Sequence, residues 1–344
     1  MDKRVIFAVA GSGKTEKIIR ELSPDSRTLL ITYTENNLLN LKKRVLQKFG
    51  EIPNSIKIYS YFQFLYSFCV RPLLGHEIKL KGINWKVPPQ STMKLKRDNL
   101  KFYCDPHNRL YSNRIAKLIE QADIVDEVKQ RIEKYFNTIC IDEIQDFGGH
   151  DFNLLKLLAS ADVNQLLVGD YYQHTFDTSR DGVVNKNLHN DYEKYKQQFA
   201  QSGFTVDEES LSNSFRCSPT VCEFVTSSLL INIGSHRDDD TTVEFIECEE
   251  RITQLFTCSQ TIKLFYQASN KYHGFTENWG ATKGEDKYGD VCVVLNQTSL
   301  KLFQSGKLHE LNPQTKNKLY VACTRAKNNL YLVPEPLVKG YKLS

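Results

Sequence analysis

A strand, a glycine-rich turn and a helix follow one another at the start of the chain. The apolar run VIFAV occupies residues 5–9, the turn AGSGKT occupies residues 10–15, and a helical pattern begins at Glu16. Glycines let a backbone curl so that its N–H groups face one ligand, and a helix N-terminus adds partial positive charge there. The pattern predicts a phosphate-binding loop, in which Lys14 reaches the β- and γ-phosphates and the Thr15 hydroxyl ligates Mg²⁺.

One position departs from the usual form of such a loop. Ala8 stands where the pattern GxxxxGK[ST] begins with glycine. A glycine-rich turn that only starts a helix is the alternative, but the lysine, the hydroxyl and the flanking elements together favour phosphate binding. The residues predicted to contact a nucleotide in this loop are Ala10, Gly11, Ser12, Gly13, Lys14 and Thr15.

The composition predicts a folded globular protein, and no membrane anchor is expected. The 344 residues suit two domains or one large one, with 40% apolar and 25% charged side chains. No apolar run approaches the roughly 20 residues that cross a bilayer, and the first one belongs to a strand rather than to a signal peptide. Nine cysteines are scattered without a CxxC pair. They predict reduced thiols in a cytoplasmic protein rather than a metal site.

Positive charge is concentrated in one segment. Residues 79–117 contain ten Lys and Arg against two Asp, whereas residues 206–344 contain 15 Lys and Arg against 17 Asp and Glu. Aromatic residues at positions 85, 102, 103 and 111 are interleaved with these cations, which suits single-stranded nucleic acid. A solvated basic face with its aromatics turned to the core remains open as the alternative. The cations predicted to bind the strand are Lys94, Lys96, Arg97 and Lys101.

Apolar runs and helical patterns alternate along the chain. The first series has predicted strands at 27–33, 55–60, 138–141 and 165–168 and predicted helices at 34–49, 117–134 and 151–160. A second series starts near residue 206 and ends with a strand at 290–295, a helix at 313–327 and a strand at 329–333. This alternation predicts parallel sheets with helices on both faces. The proline-rich residues 72–115 are interpreted as an insertion, and the acidic residues 235–250 as a loop.

Two carboxylates follow the predicted strand at 138–141. Asp142 is placed to hold Mg²⁺, and Glu143 is placed to orient and deprotonate an attacking water. Carboxylates at the C-terminal end of a strand face the crevice where ligands bind in parallel sheets. The alternative is an acidic cluster that only complements a helix dipole. The presence of a phosphate loop in the same chain makes this alternative the weaker one.

The run DEIQD at residues 142–146 resembles motif II of the UvrD/Rep-like superfamily 1 helicases, whose usual form is DEAQD. Further segments resemble the other motifs of that family in the same order along the chain. They are residues 30–36 for motif Ia, 58–64 for the next segment, 168–173 for motif III, 213–216 for motif IV, 280–286 for motif V and 319–327 for motif VI.

The resemblance assigns roles to individual residues. It implies that Gln173 senses the γ-phosphate, that Arg216 contacts it, and that Arg325 is the arginine finger. It also places Gly284 and Asp286 at the nucleotide. Surface salt bridges are the alternative for the two arginines. The residues implied to contact nucleic acid are Thr32, Tyr33, Tyr61, Phe62 and Phe176.

The resemblance also implies an architecture. Two RecA-like P-loop domains with parallel sheets are expected, the first at residues 1–205 and the second at residues 206–344. The first would carry the phosphate loop and a small basic insertion at about 72–115. The second would carry the arginine finger and lack the large accessory insertion of its relatives.

Two functions follow from these implications. The first is an ATP- and Mg²⁺-dependent helicase or translocase. Single-stranded DNA would stimulate its ATP hydrolysis, and the protein would move along that strand from 3′ to 5′. Single-stranded RNA remains possible as the bound nucleic acid. The second is a nucleotide-dependent sensor or switch that regulates a partner such as a nuclease, for example in anti-phage defence, with little unwinding of its own. Neither requires a membrane.

Overall fold

The computed structural model describes residues 1–175 and 181–343. The chain divides into two compact units. The first comprises Met1–Ile6, Thr15–Gly169 and Asp177–Asp207, and the second comprises Phe7–Lys14, Asp170–Phe176 and Glu208–Ser344. The phosphate loop up to Lys14 therefore packs with the second unit, whereas Thr15 belongs to the first. A domain boundary between residues 205 and 206 stays a prediction.

A parallel sheet forms the core of the first unit. The strands of this unit are β1 Lys3–Phe7, β2 Thr28–Thr32, β3 Ile56–Ser60, β4 Gly82–Asn84, β5 Arg109–Tyr111, β6 Thr138–Asp142, β7 Asn164–Gly169 and β8 Thr205–Asp207. Six of them form one sheet in the order β3-β2-β6-β7-β1-β8, and β4 pairs with β5 apart from it. Strand β2 pairs in parallel with both β3 and β6. Every residue of β2 is buried, as expected for a strand with both faces covered.

Helices connect these strands. They are α1 Lys14–Glu21, α2 Glu35–Phe49, α3 Tyr61–Gln63, α4 Arg71–Ile78, α5 Ile115–Gln121, α6 Val125–Tyr135, α7 Gly149–Leu158 and α8 Tyr192–Gln201. Helix α2 begins after Thr34, whose hydroxyl accepts a hydrogen bond from the Asn37 N–H, and ends at Gly50 with φ 79°. The single helix predicted at 117–134 is wrong. The chain breaks between α5 and α6, where Asp123 has φ 56°.

The aromatic segment after β3 is helical. A π-helical segment, Phe64–Val70, connects α3 to α4, and five of its side chains are buried. The insertion that follows contains mostly short elements, and its two strands β4 and β5 pair in parallel. This small sheet holds the turn that leads from Asn84 into the basic residues.

A second parallel sheet forms the core of the second unit. The strands of this unit are β9 Asn213–Ser214, β10 Gly234–Ser235, β11 Val243–Phe245, β12 Ile262–Phe265, β13 Thr276–Asn278, β14 Val291–Leu295 and β15 Leu330–Pro334. The sheet runs in the order β11-β15-β14-β12-β13, and each neighbouring pair is parallel. The helices are α9 Pro219–Leu229, α10 Glu249–Thr257, α11 Gln297–Gln304 and α12 Pro313–Cys323. The core packs Leu264, Val293 and Leu332 of the strands with Leu319 of α12.

The predicted α/β class, with a parallel sheet in each unit, is confirmed. The acidic residues 235–250 are only partly a loop, however, because β11 lies within them and pairs with β15 at the sheet edge. Seven of the nine cysteines are buried, and all nine are free. Within residues 1–175 and 181–343, no helix has the length and apolar character needed to cross a membrane.

Candidate functional site

The phosphate loop has the curled backbone that its sequence predicts. Gly11 and Gly13 have φ of 72° and 86°, and α1 begins at Lys14 directly after them. The Gly11 carbonyl accepts a hydrogen bond from the Phe215 N–H at 2.9 Å. A Cβ atom added at Gly11 would lie 2.6 Å from the Cβ of Arg216. Glycine is therefore required twice, once for the left-handed backbone and once for the close approach of the arginine.

Replacing Gly11 with alanine is expected to destabilise the protein and to abolish nucleotide binding, because the new methyl group displaces Arg216. Gly306→Ala is the matched control, since Gly306 has a similar φ of 68° but open space around it. The control should show only the backbone penalty of roughly 1–2 kcal/mol. Thermal melting and nucleotide titration of both variants measure the difference, and equal effects would show that the close approach is unimportant.

A tyrosine that the motifs did not single out anchors this loop. The buried Tyr320 hydroxyl accepts a hydrogen bond from the Ala10 N–H at 2.8 Å and donates one to Asp170 Oδ2 at 3.1 Å. Burial, and then the Asp170 charge, raise the pKa of Tyr320 well above its usual value. The Ser12 hydroxyl also bonds within the loop, to the Val9 carbonyl at 2.8 Å. Ala10 and Ser12 thus shape the loop, and their predicted contact with a nucleotide stays a prediction.

The two predicted metal ligands lie side by side in the first unit. The Thr15 hydroxyl donates a hydrogen bond to Asp142 Oδ2 at 3.0 Å, across 127 positions of sequence. Asp142 ends β6, and Thr15 is the second residue of α1. A hydroxyl and a carboxylate are the hard oxygen ligands that suit Mg²⁺, which keeps waters and substrate phosphates as its other ligands. The described residues contain no cluster of three His, Cys, Asp or Glu that could hold a metal alone. Binding of Mg²⁺ by Thr15 and Asp142 stays a prediction.

The predicted general base occupies a strained backbone position. Glu143 has φ 60°, in the left-handed region that a residue with a side chain seldom adopts. Its N–H donates to Asp142 Oδ1 at 3.0 Å, and the buried Gln145 amide donates to its carboxylate. A Cβ atom at Gly169 would lie 2.5 Å from Gln145 Oε1. Such strain persists where the surroundings enforce it, commonly at functional positions. The sequence alone did not predict this contact between Gln145 and Glu143.

Both predicted arginines lie in the second unit, and they differ in their partners. Arg216 Nε forms an ion pair with Asp286 Oδ1 at 2.8 Å. Burial raises the pKa of Asp286, but the hydrogen bond and charge of Arg216, together with Lys327, outweigh it, and the pKa is lowered. Asp286, which was predicted to contact the nucleotide, is thus bonded to an arginine of the same site.

Arg325 is buried, and its hydrogen-bond partners are backbone carbonyls. Its side chain is 2% exposed and donates to the carbonyls of Val321, Thr282 and Glu285 at 3.2, 3.3 and 2.8 Å. No ion pair of Arg325 exists among the described residues. Burial, and then the neighbouring Arg216 charge, lower the pKa of Arg325 to about 10. The roles of both arginines toward a phosphate stay predictions.

Three further residues of the predicted nucleotide site have simpler surroundings. Lys14, the first residue of α1, has no ion pair within the part of the chain that the structure describes. Gln173 is buried at the end of the turn Tyr171–Gln173. Gly284 has φ 82° with no atom near the position of a Cβ. Their roles toward a nucleotide stay predictions.

The residues predicted to contact nucleic acid are mostly inside the first unit. Thr32 and Tyr33 are buried at the end of β2, and the Tyr33 hydroxyl donates to Asp151 at 3.2 Å. Tyr61 is also buried and stacks on Tyr33 with ring centroids 5.5 Å apart. Phe62 is partly exposed. Phe176 lies outside the described residues. The buried rings cannot stack on a base in this conformation, since other rings cover them.

The basic insertion has features of both interpretations, a nucleic-acid-binding segment and a solvated basic face with its aromatic residues in the core. Phe102, Tyr103 and Tyr111 are turned into the core, as the solvated-face alternative expects. The four predicted cations, by contrast, are exposed: Lys94, Lys96, Arg97 and Lys101. None of them has an ion-pair partner among the described residues, and Trp85 is 64% exposed. The segment therefore presents free positive charge and one aromatic ring to solvent.

The family model of the UvrD/REP helicase N-terminal domain matches residues 91–196. The predicted resemblance to the UvrD/Rep-like helicases is confirmed. The matched part contains the UvrD/Rep-like run at 142–146 together with Gln173, while the phosphate loop and both arginines lie outside it. The predicted roles of the phosphate loop and the two arginines therefore rest on the geometry described above and not on the family match.

Solved helicase structures resemble the whole chain. The arterivirus nonstructural protein 10 helicase in complex with DNA matches with a TM-score of 0.50 and 14% identity, covering 98% of this chain and 63% of that one. The PRRSV helicase matches with a TM-score of 0.47 and 13% identity, covering 96% of this chain and 52% of that one. The chain thus spans between half and two thirds of these helicases. No protein of curated function matches the sequence. At these identities the likeness shows the fold alone, which is consistent with two RecA-like domains.

Proposed function

We propose that this protein is a Mg²⁺-dependent ATP hydrolase that acts as a nucleic-acid helicase or translocase. The observation that carries the proposal is the hydrogen bond between Thr15 and Asp142, which joins the end of the phosphate loop to the end of β6. A helix start and a strand end contribute one oxygen ligand each, and the loop that precedes Thr15 is curled for phosphate. The family match supports the helicase class.

The reaction is the attack of water on the γ-phosphorus of ATP. The bond between that phosphorus and the β–γ bridging oxygen breaks, giving ADP and phosphate. Glu143 accepts the proton of the attacking water, with its carboxylate held by Gln145. Mg²⁺, when bound at Thr15 and Asp142, neutralises charge on the phosphates. Lys14 and the two arginines stabilise the negative charge that spreads over the transferred group in the transition state.

The proposed nucleic-acid partner is single-stranded DNA, with single-stranded RNA as the alternative strand. The exposed cations of the insertion favour this kind of partner, because they can neutralise the phosphates of a single strand. Stimulation of hydrolysis by the strand and movement from 3′ to 5′ are part of the proposal and rest on the family resemblance. A protein partner such as a nuclease belongs to the sensor hypothesis, which no observation here favours over the motor.

The direct test is ATP hydrolysis with and without single-stranded DNA, with Lys14→Ala as the inactive reference. Stimulated hydrolysis with displacement of a complementary strand supports the motor. Stimulated hydrolysis without displacement, together with co-purification of a nuclease, supports the sensor instead. Hydrolysis that is absent from the wild type, or equal in wild type and Lys14→Ala, overturns the proposal.

Replacing Lys94, Lys96, Arg97 and Lys101 together with glutamine is expected to weaken single-strand binding and to flatten its salt dependence. Each phosphate that the protein no longer neutralises lowers the slope of log K against log salt by roughly 0.7 for single strands. Removing all four cations therefore changes the slope by about 3, if each neutralises one phosphate. Affinity is measured over a range of salt concentrations.

A matched control removes the same charge from the other unit. The control set is Lys271, Lys301, Lys339 and Lys342, which are exposed lysines of the second unit. These substitutions to glutamine should leave the slope nearly unchanged. If both quadruple variants change the slope equally, the effect comes from net charge, and the insertion is an ordinary solvated face.

A further inference from the structure

One large aromatic side chain of the insertion is exposed although it is firmly held. The Trp85 indole is 64% exposed, whereas the other tryptophan of the chain, Trp279, is 0% exposed. The Trp85 ring packs against Phe62 with centroids 4.9 Å apart and planes at 80°. Phe62 in turn contacts Tyr33 at 5.5 Å and Tyr61 at 5.6 Å. Trp85 is therefore the outer end of an aromatic cluster whose inner rings are buried at the ends of β2 and β3.

The backbone on both sides of this ring is also fixed. Asn84 Oδ1 accepts a hydrogen bond from the Lys86 N–H at 2.9 Å, so the Asn84 side chain closes the turn around Trp85. Asn84 Nδ2 donates to Asp105 Oδ2 at 2.9 Å, and Arg109 Nε bonds the same carboxylate oxygen at 2.7 Å. A ring held by its neighbour and by its turn loses little conformational freedom when a ligand stacks on it.

The residue that follows this ring is a cation. Lys86 follows Trp85 directly and is exposed without an ion pair among the described residues. The four cations discussed above lie further along the same insertion. An apolar ring in a cationic segment suits a ligand that has flat aromatic groups and a chain of negative charges.

We propose that Trp85 is the stacking platform for one unpaired base of a bound single strand. The inference rests on the proposed function and specifies where the strand is held in the first unit. Tyr33 and Tyr61 stabilise the cluster from inside, Phe62 supports the indole, and Trp85 contacts the base. Lys86 and the other exposed cations of the insertion contact phosphates of the same strand.

Alanine substitution of Trp85 tests this directly. The probe is a short dT oligonucleotide carrying a fluorescent label, and its affinity is measured by anisotropy without nucleotide. Stacking on an aromatic side chain contributes about 1–3 kcal/mol per base, so Trp85→Ala should weaken binding by roughly 5- to 150-fold. Trp85→Phe should retain most of the affinity, because phenylalanine still offers a ring face. Val87→Ala, at an exposed apolar position of the same segment, is the matched control and should bind as wild type does.

An oligonucleotide that carries abasic sites separates stacking from other effects. It keeps the phosphates and lacks the bases, so it should bind wild type more weakly than dT does, while Trp85→Ala should not distinguish the two strands. Tryptophan fluorescence is a second readout. The dT strand should quench wild type and leave Trp85→Phe nearly unaffected, because Trp279 is buried and bonded to the Leu264 carbonyl at 2.9 Å.

Two results would overturn the inference. One is a Trp85→Ala variant that binds dT within twofold of wild type. The other is an equal loss of affinity for the dT strand and the abasic strand. Failure of the proposed function gives a different result, since hydrolysis would then be absent or unstimulated in the wild type while the binding assay, which contains no nucleotide, still reports on Trp85.

Discussion

Arg325→Ala is expected to slow ATP hydrolysis by roughly 10³- to 10⁵-fold, the range found for arginine fingers in phosphoryl transfer. The guanidinium acts mainly on charge that develops in the transition state, so the affinity for ATP should change far less than the rate. Stimulation by single-stranded DNA should disappear as well. Single-turnover hydrolysis and nucleotide titration separate the two quantities.

This variant is also expected to melt at a lower temperature, and a control must account for that. Arg325 donates to three backbone carbonyls, and a buried acceptor left without a donor costs roughly 1–3 kcal/mol. Lys263→Ala is the matched control, because Lys263 is also a buried cation of this unit that donates to a backbone carbonyl, that of Cys258. It should melt lower yet hydrolyse ATP within tenfold of wild type. If Arg325→Ala hydrolyses ATP like wild type while Lys14→Ala is inactive, Arg325 is a structural residue.

Glu143→Gln is expected to bind ATP and Mg²⁺ normally and to hydrolyse ATP about 10²-fold or more slowly, the usual contribution of a general base. The amide keeps the size of the side chain and cannot accept the proton of the attacking water. Nucleotide affinity and turnover are measured on the same preparation. The variant should accumulate in its ATP-bound form.

Glu127→Gln is the control for this substitution, because Glu127 is an exposed carboxylate on α6 of the same unit. It should hydrolyse ATP at the wild-type rate. A Glu143→Gln variant that fails to bind ATP would show that Glu143 holds the metal or the fold, and another group would then be the base.

Local patterns predicted most of the elements, because each depends on a few neighbouring residues. They also suggested that Thr15 and Asp142 lie close together, while metal binding by this pair stays a prediction. The strand ending at Asp142 and the loop ending at Thr15 were both visible as sequence runs. Parallel strands bring their carboxyl ends to one edge of a sheet. The proximity of Thr15 and Asp142 therefore follows from the sheet alone and does not depend on long-range packing. Their side chains lie 3.0 Å apart.

Long-range packing was not visible in the same way. The burial of Tyr33 and Tyr61 depends on rings from three separate segments, and no local pattern distinguishes a buried tyrosine from an exposed one. The role of Tyr320 depends on Ala10, 310 positions away. The break at Asp123 was missed because the residues on either side have good helical periodicity, and only the left-handed φ of 56° interrupts them.

The membership of the phosphate loop in the second unit has a consequence for the synthesis of the protein. Residues 7–14 are synthesised long before the groups that bond them, which come from Phe215 and from Tyr320 of α12. The nascent loop therefore lacks both hydrogen bonds until α12 has been synthesised. A translation product that stops before Pro313 contains the complete phosphate-loop sequence but neither Tyr320 nor Arg325, so prematurely terminated chains should not consume ATP.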